Sequence, residues 1–130
     1  MNGITNQDLL WIVQAALQVA ASDKQLLDSE EDLLHPLIRR SGLSLEEAKM
    51  IRAAIARGDR VPLHFLSSGK ARQLCQLVIA AVALTGPTLT ECEREMNDEF
   101  SHAMGLDPLP LQPKMKPQYT RAIHRFLDAG

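Results

Sequence analysis

Apolar residues recur along this chain with the period of a helix, and no segment shows the every-other-residue alternation of a strand. Leu9, Ile12, Val13, Ala16, Leu17 and Ala20 share one face at i, i+3, i+4, i+7 spacing, which predicts a first helix over about residues 6–22. Asp28 with Glu31 three residues on resembles a capping box and opens a second helix carrying Leu33, Leu34, Leu37 and Ile38. Pro36 lies inside that segment, where it removes a backbone donor and crowds the preceding turn. The helix therefore either kinks there or its first turn stands apart. Gly42 stops it, and Ser44 with Glu47 starts a third helix whose apolar face is Leu45, Ala48, Ile51 and Ile55.

Gly58 ends the third helix, and residues 59–69 mix Pro62, Ser67, Ser68 and Gly69 with Val61, Leu63, Phe65 and Leu66, the composition of a packed connector. From Lys70 to Thr85 the pattern Leu74, Leu77, Val78, Ala81, Val82 becomes apolar nearly all round, so this fourth helix is expected to be the most buried, with Cys75 in its core. Gly86 and Pro87 break it. Thr90 and Glu93 then form another capping box, leading into a fifth helix with Cys92, Met96, Phe100 and Met104, which ends before Gly105. Between Leu106 and Pro117 stand Pro108, Pro110, Pro113 and Pro117, predicting an extended strap rather than a helix. A last helix over about 118–128 presents Tyr119, Ala122, Ile123, Phe126 and Leu127 on one face, which must dock on the rest.

Six helical segments and no strand give an all-α fold, and 130 residues suit one domain. The two halves also align. Each has an apolar helix ending in Ala21 or Ala83, a polar loop, Leu27 or Leu89, a cap, and Glu31 or Glu93 at the same offset. Each closes on Gly-Leu, with Leu27 16 residues before Leu43 and Leu89 17 before Leu106. The chain therefore divides into a first helix-loop-helix unit at about 6–57, a connector at 58–69, a second unit at about 70–107, and the strap with its C-terminal docking helix at 108–130. Ala16 and Ala20 are expected to pack on Val78 and Val82.

Composition narrows the function. Hydrophobic residues at 45% and charged residues at 23% describe a folded chain, not a disordered one. A net charge of −2 and five aromatic residues exclude a general electrostatic nucleic-acid binder. The longest apolar run, Leu77 to Leu84, is eight residues, well short of a membrane span. Met1 to Asp8 lacks the pattern of a signal peptide, and Cys75 and Cys92 neither form a disulfide scaffold nor share metal-ligand spacing, so a cytoplasmic protein with reduced thiols is expected.

Three stretches carry a family resemblance: residues 19–31 (VAASDKQLLDSEE), 41–47 (SGLSLEE) and 82–93 (VALTGPTLTECE). On these the chain resembles the bacterial TerB-like family of tellurite-resistance and related stress proteins, over roughly residues 8–107. The resemblance implies a duplicated helical domain whose loop acids are associated with cation binding. Carried over residue by residue, Leu27 and Glu31 match the family's aliphatic and glutamate in the first unit, and Leu89 and Glu93 do so in the second. Asp23 stands one residue early, Lys24 replaces the glycine, and Thr85, Gly86 and Pro87 leave the second loop without an aspartate.

The acidic windows are the candidate chemistry. Residues 22–33 hold Asp23, Asp28, Glu30, Glu31 and Asp32 against Lys24. Residues 90–99 hold Glu91, Glu93, Glu95, Asp98 and Glu99 against Arg94, so each window nets −4. Hard cations want convergent oxygens, which makes Asp23, Asp28, Glu31 and Glu93 the candidate ligands of a weakly bound divalent cation. Helix-start acids also suit the helix dipole without any ligand. His35, His64, His102 and His124 form no pair at i, i+4, and no P-loop, dinucleotide loop or nucleophile elbow occurs, so no cofactor and no enzyme is expected. Lys114, Lys116, Arg121 and Arg125 make the C-terminal segment basic. Either they are solvated on a docked helix, or they meet anionic lipid as a peripheral contact or another partner. The reading that follows is a non-enzymatic adaptor. It would bind a protein partner through Asp28, Glu30, Glu31, Asp32, Glu91, Glu93 and Glu95, of which Glu30, Glu31 and Glu93 are expected near solvent. A cation sensor built on the acidic loops is the alternative.

Overall fold

The computed structural model describes residues 4–20, 36–40, 66, 68–85 and 89–128, and, between them, 42, 44, 46, 47, 49, 50 and 53. All the regular structure among the described residues is helical: α1 (Asn6–Ala20), α2 (Gly69–Ala83), α3 (Glu91–Ala103), a 3-10 turn (Pro113–Met115) and α4 (Lys116–Asp128), with residues 36–40 also helical. The all-α expectation is met. Whether the chain kinks or breaks at Pro36 turns on the preceding residues, which lie outside the described set, as does most of the 58–69 connector.

The starts of α1, α2 and α3 are each satisfied by a side chain, as orphan amide donors require. Thr5 and Asp8 cap α1 reciprocally: the Thr5 N–H donates to Asp8 Oδ2 at 3.0 Å, and the Asp8 N–H to Thr5 Oγ1 at 3.1 Å. The Ser68 hydroxyl accepts from the Ala71 N–H at 3.1 Å at the head of α2. Thr90 and Glu93 form the predicted capping box of α3. Ser44 Oγ likewise accepts from the Glu47 N–H at 3.1 Å. At the end of α3, Gly105 has φ +73°, and the Gly105 and Leu106 amides donate to the His102 and Ser101 carbonyls at 3.0 and 2.9 Å. This closure needs a left-handed residue, and glycine adopts that conformation without a Cβ clash.

α2 is the centre of the packing. Every residue from Val78 to Leu84 is buried, because α1, α3 and α4 all lie against this helix. That is why its sequence is apolar nearly all round rather than striped. The α1–α2 contact is the most extensive, and Ala16 of α1 and Val78 and Val82 of α2 are wholly buried. The side chain of Ala20 is outside the described set. α1 also meets α3, where Trp11 and Phe100 stack edge to face with ring centroids 6.0 Å apart. α4 docks on α2 through Tyr119, Ile123 and Leu127, as its periodicity predicts.

Two expectations need correction. Helical structure after the strap begins at Pro113, not at 118, since a proline is well accommodated in a first helical turn, where its missing N–H has no partner to lose. The buried face of α3 is also rotated from the one its apolar residues suggest. Cys92 is exposed and Met96 and Met104 are half-buried, while Glu93, Asn97, Phe100 and Ser101 are buried. For Asn97 the reason is the strap, whose Leu109 carbonyl takes its donor, and Ser101 accepts from the Gln76 that also holds the strap.

Candidate functional site

α3 divides the chain's candidate chemistry between two faces. Its outer face carries Glu91, Arg94, Glu95, Asp98, Glu99 and His102, all exposed. Glu91, Glu95 and Glu99 follow one another at i, i+4 spacing, so like charges stand adjacent on the helix surface, a locally unfavourable arrangement. Dipole matching accounts for Glu91 in the first turn, but not for Asp98 and Glu99, which lie in the C-terminal half of the helix.

Glu93 departs from expectation. It is 2% exposed, not near solvent. Its Oε1 accepts from the Thr90 N–H and the Thr90 hydroxyl, both at 3.0 Å, while the Thr90 oxygen accepts from the Glu93 N–H at 3.1 Å. A carboxylate committed in this way to capping its own helix is withdrawn from the surface, so Glu93 does not belong to the partner-binding set. The same engagement makes it a poor cation ligand. Of the other predicted site residues, Glu91 and Glu95 are exposed on α3, whereas Asp23, Asp28, Glu30, Glu31 and Asp32 lie outside the described residues. Among the described residues, no three His, Cys, Asp or Glu side chains are arranged to hold a metal ion.

The inner face of α3 forms one wall of the strap's seat, a feature the sequence pattern did not disclose. Gln76 of α2, 7% exposed, donates through Nε2 to Ser101 Oγ at 3.3 Å and to the Asp107 carbonyl. Asn97 Nδ2 donates to the Leu109 carbonyl at 3.2 Å, and the Tyr119 hydroxyl of α4 to the Pro110 carbonyl at 2.8 Å. Three helices thus send one donor each to the main chain of residues 107–110. Leu109 and Leu111 pack against the core beside these bonds. Burial raises the ionisation of the Tyr119 phenol above its ordinary range, which preserves it as a donor. The Asn97 amide is only half used: Oδ1 is buried with no hydrogen-bond partner. Polar residues at an i, i+4, i+8 spacing inside a helix, here Glu93, Asn97 and Ser101, were the available signal for a buried polar stripe.

α4 presents Lys114 before its first turn, then Gln118, Arg121, His124 and Arg125, all exposed. Its apolar side is spent on α2. The acidic and basic helices therefore both flank α2, each with its charged face turned to solvent. Of the thiols, Cys75 is wholly buried and Cys92 exposed. No described helix is long and apolar enough to cross a membrane. In comparisons with known proteins, the chain matches no family model, no curated protein and no solved structure.

Proposed function

We propose that this protein is a non-enzymatic helical adaptor, a TerB-like pair of helix-loop-helix units in a bacterial stress response, that captures a basic protein partner on its acidic helix surfaces. The observation that carries the reading is the outer face of α3, where Glu91, Glu95, Asp98 and Glu99 are solvent-facing although adjacent like charges oppose the helix and the dipole does not reward the last two. A helix selected for stability alone would alternate its charges there. The capping carboxylate, Glu93, is a separate and structural residue on the opposite side. With Lys114 exposed just before α4 and Arg121 and Arg125 exposed on it, the surface is polarised, and a basic partner is steered to the acidic helix.

The test is capture from a bacterial extract at low salt by the wild-type chain and by Glu91→Lys/Glu95→Lys/Asp98→Lys. All three positions are exposed, so the variant should keep its helical circular dichroism and melt within a few degrees of wild type. It should lose the partners that wild type retains. A folded variant that keeps every one of them refutes the acidic-face reading.

A further inference from the structure

The strap is held in the manner of a bound peptide. Its contacts to the helices are main-chain carbonyls, at Asp107, Leu109 and Pro110, and the two half-buried leucines, Leu109 and Leu111. Such contacts fit an extended proline-rich segment, because prolines have no N–H to satisfy and enter the bound state already stiff. The donors come from three different helices that are packed independently of the strap, since α3 and α4 each rest on α2. Asn97 adds a second observation. It is 2% exposed, its Nδ2 holds the strap, and its Oδ1 receives nothing from it. An amide that offers both a donor and an acceptor is complementary to a peptide that supplies both a carbonyl and an N–H.

The geometry points to the seat formed by Gln76, Asn97 and Tyr119 as a binding site for an extended proline–leucine segment of a partner protein, occupied in this chain by its own residues 107–111. The site is independent of the acidic outer face of α3, with which it shares no residue. Exchange needs only residues 107–111 to lift between the α3 closure at Leu106 and the turn that Gln112 opens, with the four helices left in place. A partner segment that supplies an N–H to Asn97 Oδ1 gains a hydrogen bond that the resident strap does not make. The tethered strap competes at high effective concentration, so the intact chain binds such a segment weakly until the strap is loosened.

The experiment weakens the resident strap and offers its sequence in trans. Leu109→Ser/Leu111→Ser removes the two side chains that seat it, and both are only half-buried, so the helices should persist. A fluorescent peptide of residues 106–113 should bind this variant at least about tenfold more tightly than it binds the intact chain. Adding Tyr119→Phe or Asn97→Ala to the variant should each weaken peptide binding about tenfold, the loss of one carbonyl donor. If the double serine variant does not fold, Pro110→Gly, at an exposed position, loosens the strap by restoring its backbone freedom and takes its place. Absence of binding to a folded, loosened chain at millimolar peptide overturns the proposal. So does binding that is indifferent to both donor substitutions. A wild-type chain found to dimerise by exchanging straps would make the occupant a second copy and overturn it too.

Discussion

Cys75 and Cys92 are the same chemical group in two surroundings, and the difference is measurable. Cys92 is exposed on α3, while Cys75 is enclosed in α2, where burial without a compensating charge pushes its thiol from an ordinary 9.0 up to about 12. The folded state therefore holds the Cys75 proton where the unfolded chain releases it. Stability from this group is fully present below pH 9 and is lost as pH rises from there toward 12, with a slope of at most about 1.4 kcal/mol per pH unit. Denaturant midpoints measured from pH 8 to 10.5 should fall more steeply for wild type than for Cys75→Ala. A thiol reagent should label Cys92 in the native protein and Cys75 only on unfolding. Equal slopes in the two proteins, or rapid native labelling of both thiols, contradict the assignment. The burial of Cys75 was legible in the sequence because Ala71, Val78 and Ile79, three of its neighbours at helical spacing, are apolar. That of Glu93 was not, since a capping box is a local pattern and is silent on what covers it.

Among the elements, α2 bears the most weight, because three helices share it as their common surface. Val78 lies midway along it and is wholly buried. Val78→Asp places a carboxylate where no partner or water reaches it, at a cost of several kcal/mol, comparable to the whole stability of a domain this size. The variant should be unfolded or molten by near-ultraviolet circular dichroism and chemical denaturation. One that melts at the wild-type temperature would remove α2 from the centre of the fold. Helix existence was readable from periodicity in α1, α2 and α4, whose inner faces are mostly apolar. The phase of α3 was not readable. Apolar periodicity assumes that a buried face meets hydrocarbon, and α3 instead meets a strap whose carbonyls select Asn97 and, through Gln76, Ser101. The prolines misled in the same direction: four of them together marked an extended segment, but the last two, Pro113 and Pro117, lie in helical turns, where proline is tolerated.

At the scale of the molecule, a net charge of −2 conceals a division between acidic α3 and basic α4. The division was legible from the charge windows, and the structure adds which of those charges reach solvent on the described helices. Partner capture on α3 should then carry the kinetics of electrostatic steering. Exposed charges act over about 8 Å at physiological salt, so they draw the partner in before contact and contribute little once the interface has formed and displaced its water. Raising salt from 50 to 500 mM should slow association of the captured partner by an order of magnitude or more while changing dissociation severalfold at most. The Glu91→Lys/Glu95→Lys/Asp98→Lys chain, if it binds residually, should associate slowly at low salt and lose that handicap as salt rises, since screening weakens its repulsion as it weakens the wild-type attraction. Surface plasmon resonance across that salt range separates the two rates. A wild-type association rate that does not move with salt would mean that the contact is made by apolar surface, and that the carboxylates of α3 serve only to keep the helix solvated.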